Sequence, residues 1–520
     1  MRISFTRVRF LVLLLLAVFS GAVSATTYYT SPTGTATASG TISDPLAFAT
    51  AIGKLLAGDI LYVRGGTYNS AVRFNISKSG TSGNLIKILA YNGEQPVFDF
   101  STEAYSSSNQ GVSVSGNYLQ INGITVQGAG DNGMQVTGSY NVIENCTFRW
   151  NCDSGLQMKT GSDNYILNCD SYENFDYKTL NSDSTPNYGG NADGFADKQY
   201  TNAGTNTYEG CRSWCNGDDG WDHFELISNT VYKNCWCYAM APAQFDMTNH
   251  IRYTTDKAYI DGFANHIIPN YGNGNGFKLG GNYTAHNATL TNCIAVGNLV
   301  KGFDQNNNNG TMTLYNCTSY RNKYNYGFSN SSYGTLLIRN CASLSGTSSN
   351  SFNCKTVTQD HNSWNTGFTC VSGDFQSLDV TQMLLPRKSD GSLPDITLLH
   401  QVSTSSMIDK GATTGLPSYV VYSGSAPDLG AYEYAVATGV SNLLATSDVE
   451  VYYSSMNNKI VINGVTSKVD IYQFTGQKVF SRTVSTDNES VDVNGWAKGV
   501  YVVCVATPNG APVVRKIIIG

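Results

Sequence analysis

Four aspartates and one lysine could do chemistry together. Asp193 lies in Asn191-Ala192-Asp193-Gly194, and Asp218, Asp219 and Asp222 lie in Asn216-Gly217-Asp218-Asp219-Gly220-Trp221-Asp222. Carboxylates so close repel one another unless a hard cation holds them, and Ca²⁺ favours several carboxylate oxygens in a flexible site. Read alone, Asp-Asp-Gly is also an ordinary turn. Lys278 lies in Asn273-Gly274-Asn275-Gly276-Phe277-Lys278-Leu279-Gly280-Gly281, whose glycines leave room for a polymer to approach. A lysine beside a bound cation on a desolvated face has a depressed pKa and can act as a neutral base. Asp304, expected on its far side, opposes that depression. A cation that neutralises a carboxylate, with a base that removes the neighbouring C–H proton, makes up one proton abstraction.

These residues need a scaffold that brings distant segments together, and a repeat supplies it. An apolar residue, usually a spacer, then Asn-Cys recurs at Cys146, Cys169, Cys235, Cys293, Cys317 and Cys341, with Glu209-Gly210-Cys211 as a variant. The steps between these cysteines are 23, 42, 24, 58, 24 and 24 residues, so one period dominates. Five residues past the cysteine stands Asn151, Asn174, Asn216, Asn298 or Asn322, read as a left-handed turn column. A glycine and a large apolar residue follow, at Gly155-Leu156, Gly194-Phe195, Gly220-Trp221, Gly276-Phe277, Gly302-Phe303 and Gly327-Phe328. Short strands joined by tight corners in a unit of this length predict an all-β parallel β-helix, in which each coil buries its inner side chains against the coils above and below. The cysteines are then stacked small hydrophobes; a disulfide or zinc site among Cys211, Cys215, Cys235 and Cys237 is the competing reading.

Strand alternation turns the residue after each glycine inward. The next residue faces out, giving the column Gln157, Ala196, Asp222, Lys278, Asp304, Ser329, with Asp222 and Lys278 on neighbouring strands. The two long coils carry their extra residues between the Asn turn and the glycine strand, just before Asp193 and Lys278, where loops frame a groove. Lys159 and Lys198, four residues after the glycine in adjacent coils, are candidates for binding further carboxylates of a substrate, with plain solvation as the alternative. His223 falls two beyond Trp221, inward, and is expected to pair with Asp197. None of the six histidines shows metal or triad spacing.

The two ends differ from the middle. Arg2, Arg7 and Arg9 precede the apolar run Phe10 to Phe19 and small residues ending at Ala25, the layout of a cleaved signal peptide over residues 1–25. Removing it takes the formal net charge from −6 to −9, which argues against nucleic acid as partner. No later run is apolar enough to span a membrane. Asp44-Pro45 before Leu46, Phe48, Ile52, Leu55 and Leu56 predicts an N-capped amphipathic helix closing the open end of the solenoid. The β-helix is placed at 26–435. From about 441 to 520 the repeat stops and valine-rich alternation predicts a small β-sandwich.

The segments Asn191 to Phe195, Asp218 to Asp222 and Gly274 to Lys278 resemble, in order, those of polysaccharide lyase family nine, the pectate-lyase-like right-handed parallel β-helix enzymes. The resemblance runs from about Thr27 to Glu433, taking in Gly58-Asp59, Gly65-Gly66-Thr67-Tyr68 and Ala426-Pro427-Asp428-Leu429-Gly430. It implies Ca²⁺ ligation by Asp193, Asp218, Asp219 and Asp222, with Lys278 taking the C5 proton of a uronate. The implied substrate is an acidic plant cell-wall polysaccharide, either polygalacturonate or rhamnogalacturonan I. The tail, with Ile471 to Gln477 and Lys498 to Val502, is similar to type IX secretion sorting domains, implying secretion or surface attachment, with the periplasm and an ordinary accessory sandwich as alternatives. A monomer is expected. A glycoside hydrolase, a uronate epimerase and a non-catalytic binding β-helix are the rival functions; only the first two need catalytic groups, and only the epimerase shares the lysine and cation chemistry.

Overall fold

The computed structural model describes residues 25–434 except 199, 366 and 368, and residues 450–519 except 455–457, 464–467, 474–476, 484–487, 498 and 507–512. The expected leader, apart from Ala25, lies outside them. The chain divides into two compact units, Met1–Tyr434 and Ala435–Gly520. Among the described residues no helix is long and apolar enough to cross a membrane.

The first unit is a parallel β-helix of three sheets with 12, 10 and 10 strands. Each coil visits them in turn. Val142–Glu144 belongs to the first sheet, Thr147–Arg149 to another and Leu156–Met158 to the third, the groove sheet, before Tyr165–Leu167 returns to the first. The inward column of the groove sheet is a ladder of rings: Phe195, Trp221, Phe277, Phe303 and Tyr326 stack at centroid distances of 5.0, 4.6, 5.0 and 5.2 Å. The ladder departs from the expected column at its end. Phe303 pairs with Tyr326 and Asp304 with Gly327, so Phe328 and Ser329 fall two positions further on. The corner from Asn322 to Tyr326 is one residue shorter than that from Asn298 to Phe303, and the buried tyrosine takes the ring position.

The corners use asparagine differently from expectation. The left-handed residues are the asparagine before the cysteine, such as Asn145 and Asn316, and the residue four after it, such as Trp150 and Glu173. Gly210 takes the same conformation at φ 62° where asparagine is missing. The asparagine five past the cysteine instead forms a buried ladder of side chains. Asn174 Oδ1 accepts from the backbone N–H and the Nδ2 of Asn151 at 3.1 and 2.8 Å, and Asn216 Oδ1 serves Asn174 at the same two distances. Each rung satisfies polar groups of the next coil, which a buried corner requires. The cysteines are free thiols; Cys146, Cys169, Cys211, Cys235, Cys293, Cys317 and Cys341 are buried in the core.

The N-terminal helix spans Phe48–Lys54, and its Phe48 ring packs 4.8 Å from Phe74 and 4.5 Å from Phe98 at the first coils. Asp44 does not cap it. The cap position falls later, at Ala47, and the Asp44 carboxylate accepts from the Ser39 N–H, holding the preceding turn. The second unit has a three-stranded and a four-stranded antiparallel sheet over one core that includes Ile460, Val469, Val491 and Val503.

Candidate active site

The site is assembled by strand register. Phe195 pairs with Trp221 and Ala196 with Asp222; Trp221 pairs with Phe277 and Asp222 with Lys278. The inward rings therefore fix where the outward Asp222 and Lys278 stand. The glycines before these strands have a different use from the one expected. A Cβ at Gly276 would meet the Gly302 carbonyl oxygen at 2.6 Å, and one at Gly194 the Ser213 hydroxyl at 2.0 Å. Their space is taken by the neighbouring coil or by their own.

The two insertions form one wall beside this sheet. Phe175 stacks on Phe245 at 4.0 Å, and both share a core with Tyr177, Met247, Ile260 and Ile268. Arg252, fully buried, bonds to Asp256, and Tyr177 donates to the same carboxylate at 2.6 Å. The wall holds Asn191 to Asp193 and Asn273 to Asn275 against the groove.

Asp193, Asp219 and Asp222 converge, with one carboxylate oxygen from each within 4.8 Å of the others, all buried. Asp193 Oδ1 accepts from the Asp219 N–H and its Oδ2 from the Ser154 hydroxyl. Asp219 Oδ1 accepts from both the N–H and the Nδ2 of Asn275 at 2.8 and 2.9 Å. Among the described residues its Oδ2 accepts no hydrogen bond, and it faces the Lys278 ammonium at 3.0 Å, an ion pair outside hydrogen-bonding geometry. Asp218, also buried, stands apart from this triad; its carboxylate takes the Asn273 N–H and so pins the wall. Buried carboxylate oxygens that converge, one without a hydrogen bond, form a donor set suited to a hard divalent cation.

Two lysines lie in the cluster. Lys278 Nζ is also 3.2 Å from Asp222 Oδ1, and Lys198 Nζ is 2.7 Å from Asp193 Oδ2 and 3.3 Å from Asp222 Oδ2. Burial pulls the pKa of Lys278 down, but Asp219, Asp222, Asp218 and Asp193 push it up and prevail, so it ends well above the ordinary lysine value. The expected depression therefore requires the carboxylates to be neutralised by something other than the lysine. Burial, then Asp222 and Asp219, raise Asp193 to about 7, with Lys198 opposing. Asp304 does not oppose Lys278 directly, because Lys301 Nζ holds it at 2.7 Å. Lys159 is exposed just past the end of the strand Leu156–Met158 of this sheet.

His223 pairs with the backbone carbonyl of Asp197, at 3.1 Å, and with the Tyr232 hydroxyl. The expected pairing with Asp197 is thus made through its backbone, and the Asp197 carboxylate is taken by Asn206 and Tyr200. Sequence reasoning missed Ser154, Asn275 and Asp176. Ser154 and Asn275 precede their strands at the position of Asp193 and Asp219, a column that could have been read. Asp176 enters from the insertion to accept the Ala192 N–H, which no spacing announces.

This fold and this site define a polysaccharide lyase of the β-helix class. Residues 28–350 match the family described as Pel9A-like, right handed beta helix region, and the chain belongs to that family. It is 38% identical over 425 residues to pectate lyase L of Dickeya chrysanthemi, covering 80% of this chain and 92% of that protein. The crystal structure of pectate lyase Pel9A is similar at a TM-score of 0.67 and 35% identity, covering 80% of this chain and 98% of that one. A rhamnogalacturonan lyase shares the fold at a TM-score of 0.61 and 24% identity, over 73% and 97% of the two chains. Residues 446–520 match the secretion system C-terminal sorting domain.

Proposed function

We propose that the protein cleaves the galacturonate-containing backbone of pectin by β-elimination, with Asp193, Asp218, Asp219 and Asp222 holding Ca²⁺ and Lys278 as the base. The observation that carries this reading is the Lys278 ammonium lying 3.0 and 3.2 Å from two members of the carboxylate triad. Calcium bound at the triad would offset the charge of the substrate's uronate carboxylate and so acidify the adjacent C5–H. Lys278, as a neutral amine, takes the C5 proton. The electron pair left behind forms the C4–C5 double bond as the C4–O bond breaks, and the leaving oxygen takes a proton from water. Strand pairing with Asp222 fixes the amine beside the ligands, and the Asn275 amide holds Asp219 in place. Asp218, held by the Asn273 N–H, is the outer member of this ligand set, and Lys159 binds a further carboxylate of the chain. The pectate lyase relatives favour polygalacturonate as substrate. The C-terminal unit directs the enzyme, acting as a monomer, to the outside or the cell surface.

The test is digestion of polygalacturonate and, separately, rhamnogalacturonan I, with calcium or with a chelator, following the ultraviolet absorbance of unsaturated uronate. A calcium-dependent rise on polygalacturonate is expected. A rise only on rhamnogalacturonan I would reassign the substrate. New reducing ends without absorbance would replace the reading with a hydrolase, and silence on both polymers would sink it.

A further inference from the structure

Lys198 does not sit as a solvated groove lysine would. Its side chain is 13% exposed and its ammonium lies between Asp193 Oδ2 and Asp222 Oδ2. Lys278 takes Asp219 Oδ2 and the other oxygen of Asp222. Each oxygen of Asp222 thus faces a different lysine, and two ammoniums offset three carboxylates. An ammonium in this place draws on the same lone pairs that a divalent cation needs. The two lysines are not held alike. Lys278 lies within the strand Phe277–Lys278, paired on both sides, whereas Lys198 follows the end of Phe195–Asp197 and can swing its stem.

We infer that Lys198 is a built-in counter-ion of the cation site: it neutralises the triad when no cation is present, gives up Asp193 and Asp222 when one enters, and turns its freed ammonium to the groove to bind a carboxylate of the substrate. This rests on the reading that the triad binds calcium. It makes Lys198 a positioning residue that couples loading of the site to capture of a polyanion. Two positive charges about 4 Å apart repel strongly enough to shift a binding constant by a factor of about 10 or more.

The experiment is calorimetric titration of the full chain with calcium chloride, wild type against Lys198→Gln, without substrate, beside thermal unfolding in chelator. The variant is expected to bind calcium at least about tenfold more tightly. Its metal-free form should melt lower, and calcium should raise its melting temperature by more than it raises the wild type's. Unchanged or weaker affinity in the variant, with wild-type binding intact, overturns the inference alone; a wild type that binds no calcium overturns the reading beneath it. At saturating calcium the KM of Lys198→Gln for polygalacturonate should rise, and an unchanged KM removes the substrate half of the inference. If the variant does not fold, crystals of the wild type with and without calcium decide. Lys198 Nζ should leave ion-pair distance of Asp193 and Asp222 when calcium is bound, and an ammonium that stays contradicts the inference.

Discussion

Two requirements conflict at Lys278. A base must be neutral, yet four aspartates hold this ammonium charged against the pull of burial. On the proposed mechanism the conflict ends only when the carboxylates are neutralised by another charge, so the metal-free enzyme is expected to be inactive. Lys278→Arg tests this, because a guanidinium keeps the ion pairs and cannot deprotonate. Turnover should fall by about 10³-fold or more, while the metal-free melting temperature falls less than in Lys278→Ala, which leaves the buried Asp219 Oδ2 without a counter-charge. Activity retained in Lys278→Arg would remove the lysine from the chemistry. His223, lowered to about 4 by burial and tied to the Asp197 carbonyl, offers no substitute base.

The coil corner is the element on which the site depends. Asn174 is fully buried, and its Oδ1 serves two donors of Asn151. Asn174→Ala leaves those donors unsatisfied and should destabilise the helix unit by about 2–4 kcal/mol, read as a shift in the denaturation midpoint. A change under about 0.5 kcal/mol would mean that water replaces the rung. This element was only partly legible in the sequence. The asparagine column was visible as a period, and so was the juxtaposition of Asp222 and Lys278, because register follows from an inward ring every coil. The asparagine's work was not legible, since a left-handed corner and a side-chain ladder favour the same residue at neighbouring positions. The slip at Tyr326 was hidden because two aromatics, Tyr326 and Phe328, stand two apart and either satisfies alternation. Asp44 looked like a helix cap, but its carboxylate accepts the Ser39 N–H of the preceding turn. Lys198 read as outward because periodicity gives a face and not the reach of a long side chain around the end of its strand.

At the scale of the whole molecule, buried acids set how stability varies with pH. Burial, then Asp153, raise Asp176 from 3.8 to about 8. The folded chain therefore keeps a proton that the unfolded chain loses. The stability from this group is full below about pH 4 and is lost as pH rises through about 8, at about 1.4 kcal/mol per pH unit for one proton. Asp176→Asn mimics the protonated acid and keeps an acceptor for the Ala192 N–H. In chelator it should match the wild type near pH 4 and exceed it increasingly toward pH 8. His223 and His250 act in the opposite sense at acid pH, which is why the difference between variant and wild type is the quantity to read. A difference that does not vary with pH would show that Asp176 is ionised throughout. Every residue assigned to the chemistry lies in the first compact unit, so a chain ending at Tyr434 should keep the kcat/KM of the full protein while losing its export. A large loss of kcat/KM would give the second unit a part in catalysis.

Calcium held by the triad and proton removal by Lys278 are tested together by one paired experiment. Wild type and Lys278→Gln are compared at saturating calcium for absorbance of unsaturated uronate from polygalacturonate, with calcium binding measured on the same samples. Both proteins are expected to bind calcium, and only the wild type to generate the absorbance. A variant that binds calcium and still releases unsaturated product at the wild-type rate would contradict proton removal by Lys278.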